Sequence, residues 1–346
     1  MVVISHPALP RELSAKLSSL GARLKKGPSD RELNDVLVGL SAISPNQVVR
    51  VSREIATAAR LVWWQPEKGF SLERLFRKPL SEYDLLKENL DYAWLFLFHY
   101  SGYVREAALD SIEAPPASAF FFAALAWRLN DWVESVRQAA KRCAERVLPF
   151  TSADIVASAA LYLLDRRFVW GRWSDGPEVL DGIFSRKEVV AALAVLLCEQ
   201  PTGPLATCLR YALRYPNIDA HLPSLATNAI QPSVRAVAYQ CLLAGRAAWP
   251  VGYEWAWIDK VYGLKRRVPK LDSRDIRSSL LIAELIRQGV LDKSPKVRSV
   301  AADALTEVRA QLPDADSLIV KLAKDRSPAV RWRADFMLRH PAPRPG

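Results

Sequence analysis

The strongest constraint on the fold is a segment near the C-terminal end that occurs twice. Residues 292–305 read DKSPKVRSVAADAL, and residues 325–338, 33 positions later, read DRSPAVRWRADFML. Val-Arg pairs begin at positions 104, 136, 234, 297 and 330, and an Ala follows each Val four residues later. Apolar or small residues also recur three, seven and eight positions after the Val, a spacing that marks one face of an α-helix. The constant Ala predicts that another helix crosses closely there.

The spacing of the copies predicts a regular unit. Neighbouring Val residues are 32 or 33 positions apart, and the wider gaps of 63 and 98 are close to two and three units. Ser294-Pro295 and Ser327-Pro328 place a capping Ser before a Pro, which is typical of a helix start. One helical pair cannot bury its own apolar face, whereas stacked pairs can. We therefore expect an all-α, right-handed α-solenoid of stacked helical hairpins over residues 1–346, as a single domain without a sheet.

The pattern D-x-S-P-x-V-R-x-x-A-x-x-x-L resembles the HEAT-like repeat in its short bacterial form. The resemblance is strong over 292–340, fair over 99–148 and 229–245, and weak over 150–228 and 246–290. It implies an armadillo-type superhelix in which the repeat arginines bond aspartates of neighbouring inter-helix turns. The residues of that implied ladder are Arg105, Arg137, Arg235, Arg298, Arg331, Asp131, Asp292 and Asp325. His99 and Ala229 stand where the other copies have Asp, so we expect the ladder to be broken there.

Two irregular inserts, near 168–182 and 249–270, interrupt the repeats and offer aromatic residues beside cations. The candidate partner-binding residues are Trp255, Trp257, Lys265, Arg266, Arg267 and Lys270 in one insert, and Trp170, Arg172 and Trp173 in the other. Aromatic rings beside cations can hold a protein partner or stack nucleic-acid bases. The alternatives are that the rings pack on the solenoid, that the basic run is only solvated, and that the earlier loop covers an apolar edge.

Catalytic and metal-binding motifs are not recognised in the sequence. The four histidines are scattered, and the four cysteines show no CxxC spacing. Cys143 and Cys241 fall at apolar repeat positions, where a buried small side chain is expected. The sequence thus predicts no cofactor and no metal, and it favours a non-catalytic role.

The basic excess is concentrated at the C-terminal end. The net charge is +11, and residues 251–346 carry 19 Lys and Arg against 12 Asp and Glu. Such an excess attracts nucleic acid or an acidic protein. We expect a cytoplasmic protein with reduced thiols and no membrane association, because we find neither an N-terminal signal nor a run of ~18–20 apolar residues.

Two functions fit these features. The first is a scaffold or adaptor that binds another protein. The alternative is a nucleic-acid-binding solenoid, because some HEAT-like proteins are alkylpurine DNA glycosylases with Trp residues around an Asp; the candidate neighbours here are Asp131 with Trp132 and Trp332 with Asp335. A bilin-handling lyase partner, a third role of the short repeat form, has no supporting residues.

Overall fold

The structure of the protein is a computed structural model. It describes residues 8–24, 27, 29–61, 81–166, 170–172, 176–276 and 281–341. The described chain is mostly helical, as the repeat predicts, and it contains a two-stranded antiparallel sheet. Its contacts form two compact units, Met1–Arg186 and Lys187–Gly346.

The first unit is built of helices, one of which is almost wholly apolar. They are α1 (Arg11–Arg23), α2 (Asp30–Ser41), α3 (Val48–Ala58), α4 (Glu82–Glu88), α5 (Tyr92–Phe96), α6 (Gly102–Ser111), α7 (Ala119–Arg128), α8 (Glu134–Val147), α9 (Ala153–Leu163) and α10 (Gly176–Phe184). Helix α7, with the sequence AFFFAALAWR, is buried along almost its whole length. Because a helix that is apolar all round is stable only when covered, α7 packs against α2, α3, α8 and α9.

The second unit contains helical pairs and a β-hairpin. Its elements are α11 (Lys187–Glu199), α12 (Leu205–Ala212), α13 (Leu222–Asn228), α14 (Pro232–Ala244), β1 (Arg246–Asp259), β2 (Leu264–Asp275), α15 (Ile282–Val290), α16 (Pro295–Val308), α17 (Ala315–Ala323) and α18 (Pro328–Arg339). Consecutive helices pack in pairs, α13 with α14, α15 with α16, and α17 with α18, and the second members α14, α16 and α18 pack on one another in order.

The Val-Arg-Ala signature lies on α6, α8, α14, α16 and α18. All five signature alanines, Ala108, Ala140, Ala238, Ala301 and Ala334, are fully buried. In the fourth copy the crossing helix is α15: a Cβ added to Gly289 would lie only 2.8 Å from the Cβ of Ala301. The small residue is thus required by close contact between helices, as the sequence predicts.

Both Ser-Pro pairs lie at helix starts, but only one Ser caps with its side chain. The Ser294 hydroxyl accepts a hydrogen bond from the Lys296 N–H at 3.2 Å, whereas Ser327 makes no such bond. At the second start, the Asp325 carboxylate accepts from the Ser327 N–H at 2.7 Å. The aspartate side chain therefore fixes this turn.

The expectation of a fold without a sheet is wrong. Strands β1 and β2, of 14 and 12 residues, form a long hairpin where the sequence analysis placed the irregular insert near 249–270. A two-residue alternation of side chains, rather than the helical period, organises this segment.

Candidate interaction surface

Arginine–aspartate pairs join consecutive repeats. Arg105 bonds the Asp131 carboxylate through Nε at 3.0 Å and Nη2 at 2.8 Å. Arg298 bonds Asp325 in the same way, at 2.5 and 2.8 Å. Each arginine also donates to two backbone carbonyls of the turn before its own helix. Each pair therefore fastens one helix start to the turn of the following repeat, with the bidentate geometry that makes such bonds strong.

The absence of an aspartate at positions 99 and 229 does not remove the partners of Arg105 and Arg235. Arg105 and Arg235 both reach an aspartate, because the partner belongs to the following copy. Instead Arg137 and Arg331 bond the carbonyls of their own turns, and within the described chain no following aspartate pairs with them. His99 keeps part of the aspartate's role, since its Nδ1 accepts a hydrogen bond from the Ser101 N–H at 3.0 Å.

Each Arg–Asp pair is called a rung of the ladder. The Arg105–Asp131 rung of the first unit is buried, and its aspartate also bonds a second arginine, Arg128. Arg128 Nη1 lies 2.5 Å from Asp131, and the Arg128 guanidinium stacks 3.7 Å from the Trp127 ring centroid. Burial lowers the pKa of Arg128 to about 10, although the charge of Asp131 opposes that shift. Asp131 thus holds two buried guanidiniums together.

The third rung spans an insertion. Arg235 bonds Asp292 at 2.9 and 2.9 Å across 57 residues, whereas the other rungs span 26 and 27. The difference, 57 − 27 = 30, equals the length of residues 246–275, which form the hairpin. The 63-residue gap is therefore one repeat plus an insert, and its interpretation as two units is wrong. The Ile276 N–H donates to the Gly245 carbonyl at 2.8 Å, so the chain leaves and rejoins the repeat at one point.

The base of the hairpin is anchored to the helices beneath it. Arg274 makes two 2.6 Å bonds with Asp219 and donates to the carbonyls of Leu213 and Tyr215. Ala247 is fully buried, and β1 packs against α12 and α14. These contacts fix the direction in which the rest of the hairpin extends.

Strand register places three aromatic residues on one face of the hairpin. Tyr253 pairs with Pro269, Trp255 with Arg267, and Trp257 with Lys265, and paired residues share a face. We call these six residues the aromatic face. Its three rings are 51%, 68% and 49% exposed, in chain order. Rings of this size are expensive to leave in water, so their grouping indicates a contact surface.

Cations of β2 lie directly against two of these rings. The Lys265 Nζ is 4.1 Å from the Trp257 ring centroid, and the Arg267 guanidinium carbon is 4.2 Å from that of Tyr253. Cation–π attraction at this distance holds both charges over the rings. The aromatic face is thus positively charged, and it carries no acidic residue.

The opposite face of the hairpin has a different character. Here Gly252 pairs with Lys270, Glu254 with Val268, and Ala256 with Arg266; we call these six residues the mixed face. The four basic candidates from the sequence are therefore divided, two on each face. A one-residue change of register would exchange the faces, so the bulges that the register shows at Pro250/Gly252 and Trp257/Asp259 decide this division.

The tip of the hairpin is a defined turn with apolar side chains. The Asp259 carboxylate accepts from the N–H groups of Val261 and Tyr262 at 2.8 and 3.1 Å, and Gly263 has φ +67°. The exposed apolar residues at or beside the turn are Ile258, Val261, Tyr262 and Leu264. They extend the exposed apolar surface beyond the aromatic face.

Candidates in the earlier insert do not form such a surface. Trp170 is buried, so its ring is not available to a partner. Arg172 is exposed, and its N–H donates to the Asn130 side chain at 2.9 Å. Trp173 lies outside the described residues.

Asp131, the first acidic residue proposed for a glycosylase-like site, is already engaged by other side chains. The Asp131 side chain is 1% exposed and accepts bonds from Arg105, Arg128 and the Val133 N–H. It therefore has no free lone pair directed at a substrate. Trp332 stacks on Phe336 along the surface of α18, with ring centroids 6.3 Å apart.

In the described part of the chain, thiols and potential metal ligands form no second site. Burial raises the pKa of Cys143 and of Cys241 to about 12, which keeps both protonated and unreactive. Among the described residues, no group of three His, Cys, Asp or Glu side chains could hold a metal ion. None of the helices described here is both long enough and apolar enough to cross a membrane.

Sequence reasoning did not single out the aliphatic residues of the tip, Val261 and Leu264, as part of the surface. The available signal was the alternation of apolar residues at 251, 253, 255 and 257, followed by Asp259 and Gly263 as turn residues. Comparison with models of known protein families gives no match for this chain, and the curated proteins give none either.

Proposed function

We propose that the protein is a non-catalytic scaffold of HEAT-like repeats that binds another protein through its inserted hairpin. Support for the solenoid comes from the packing of α14 on α16 and of α16 on α18, with an Arg–Asp rung at each step. We place this scaffold in a reducing cytoplasm, because its four cysteines are free.

The observation that carries the proposal is that the repeats on either side of the hairpin bond to each other directly, without using the hairpin. Arg235 and Asp292 form their rung across it, and Gly245 and Ile276 meet at its base. The scaffold gains only the few contacts at the base from 30 additional residues. An isolated two-stranded hairpin is at best marginally stable, and this one exposes aromatic and aliphatic side chains on its surface. A partner that covers the hairpin would bury these exposed side chains.

A protein partner fits the composition of this surface. Trp, Tyr and Arg are the residues that dominate binding energy at protein interfaces. The exposed Val261, Ile258 and Leu264 at the tip add aliphatic area, which protein surfaces match and phosphate backbones do not. The basic excess favours nucleic acid as the second candidate, although Asp131 is occupied by arginines and does not support glycosylase chemistry.

The test compares two matched pairs of aromatic substitutions. Partners would be cross-linked to the protein in its source cells, identified, purified and titrated by calorimetry. Trp255→Ser/Trp257→Ser removes two rings from the hairpin, and Trp332→Ser/Phe336→Ser removes two exposed rings from α18. Loss of one or two hot-spot side chains, at about 2 kcal/mol each, predicts at least about 30-fold weaker binding for the hairpin variant. Equal affinities of the two variants would show that the hairpin is not the docking element.

A further inference from the structure

We propose that the aromatic face binds an acidic segment of the partner protein, with one carboxylate on Lys265 and a second on Arg267. This inference deepens the proposed function and rests on it. It assigns a chemical class to the partner and a role to one face of the hairpin.

Charge is the first argument. The aromatic face contains Lys265 and Arg267 and no carboxylate, for a net charge of +2, whereas on the mixed face Glu254 offsets one of Arg266 and Lys270 and leaves +1. Like charges on one face repel each other unless an anion lies between or above them. The aromatic face is therefore the more complementary of the two to a partner that supplies negative charge.

The spacing of the two cations limits the partner further. Lys265 and Arg267 are two residues apart on one strand, so their Cα atoms are separated by about 6.5–7 Å. Carboxylates at alternate positions of an extended segment have the same spacing, and those one turn apart on a helix come close to it, at about 5–6 Å. Stacking on Trp257 and Tyr253 holds both cations in place, which reduces the entropy lost on binding.

The ring faces argue for protein rather than nucleic acid. Single-stranded nucleic acid binds by stacking bases on aromatic faces. Here Lys265 and Arg267 each cover a face of one of the three rings. Leu271, which is 58% exposed, continues the surface with aliphatic area towards the base, where carbon atoms of a protein segment can pack.

Docking through side chains is favoured over addition of a strand to β2. Pro269 has no N–H to donate, and Lys265, Arg266 and Lys270 charge the same strand. Proline and lysine at an edge are the features that prevent strand addition. The partner segment is therefore expected to lie across the aromatic face rather than along its edge.

The experiment uses the full chain and defined probes. A short fluorescein-labelled peptide with Glu at alternate positions and Leu between them is titrated by anisotropy, beside the same peptide with Gln for every Glu. Single-stranded and duplex DNA of similar net charge are titrated in parallel at several salt concentrations. Lys265→Glu/Arg267→Glu changes the aromatic face, and Arg266→Glu/Lys270→Glu makes the same change of charge on the mixed face.

The expected result is binding of the Glu peptide that falls at least about tenfold in the aromatic-face variant and less than about threefold in the mixed-face variant. Equal losses in both variants would overturn the inference, because binding would then follow net charge alone. Tighter binding of DNA with a steep salt dependence would overturn it in favour of nucleic acid. If the identified partner binds through Trp255 and Trp257 but the Glu peptide does not bind, the acidic-segment inference fails while the proposed function stands.

Discussion

Replacing Asp131 by Asn should strongly destabilise the first unit. Asn keeps the size of the side chain and an oxygen for the Val133 N–H, but it removes the negative charge. Arg105 and Arg128 would then remain buried without a counter-ion, since their side chains are only 3% and 7% exposed. Burial already disfavours the charged form of Arg128, as its lowered pKa indicates.

The magnitude follows from burial. Breaking a buried ion pair by removing one partner costs about 3–5 kcal/mol, because the other charge stays desolvated. For a cooperative unit of this size, each kcal/mol shifts the unfolding midpoint by about 2–4 °C, which gives a decrease of about 6–20 °C. The matched control is Asp110→Asn, since Asp110 pairs with Arg142 at 2.8 Å with both side chains about half exposed. Exposed pairs contribute at most about 1 kcal/mol.

The assay is urea unfolding followed by far-ultraviolet circular dichroism, with a thermal scan of the same proteins. Asp131→Asn should lower the free energy of unfolding by several times more than Asp110→Asn does. Equal effects of the two substitutions would refute the reasoning, because Asp131 would then not act as the counter-ion of a buried pair of arginines.

Three further predictions concern packing, thiols and acid. Ala301→Leu should cost about 1–3 kcal/mol through overpacking at the helix crossing, and a larger cost for the half-buried Ser299→Leu would contradict the assigned face. Cys198, the partly exposed thiol, should react with iodoacetamide before Cys143, and the reverse order in peptide mapping would be evidence against the described core. The hydrogen bond from its arginine partner lowers the pKa of Asp325, so the stability that its carboxylate contributes is present above its unfolded pKa, near 4, and is lost as the pH falls through the folded pKa. The difference in urea midpoint between the native protein and Asp325→Asn should therefore shrink on acidification from pH 6 to pH 3, and a constant difference would contradict this.

The helical repeats could be predicted from sequence because their signals are local. The capping Ser before Pro295 marks a helix start, the apolar stripe marks a buried face, and the constant Ala marks a close contact between helices. The structure shows that contact where Gly289 packs against Ala301. The hairpin was missed because neither face of its outer part is buried, so its strands lack the contrast between buried and solvated sides that usually marks a strand. The 63-residue gap was then misinterpreted, since 33 plus 30 is close to twice the repeat.

The aromatic and basic residues of the insert could be selected from composition, but their arrangement could not. Lys265 and Arg266 are neighbours in sequence and lie on opposite faces, because the strand alternates and its register is set by bulges. Trp170 resembled the hairpin tryptophans in sequence context and is buried, a difference that depends on contacts distant in the chain. The candidate residues could therefore be chosen from the sequence, but which of them share a surface could not be predicted.

The most direct test of the central claim is the unfolding midpoint of a protein with a shortened hairpin. Residues 250–271 would be replaced by Asn-Gly, a two-residue turn suited to a hairpin, so that Trp249 still pairs with Asp272 and Arg274 keeps its bonds to Asp219. Because the removed residues are mostly exposed and the rung from Arg235 to Asp292 does not pass through them, we expect an unchanged helical circular dichroism signal and a thermal midpoint within about 2 °C of the native protein. Loss of the helical signal, or a midpoint lower by about 10 °C or more, would show that the hairpin is part of the scaffold and contradict the account.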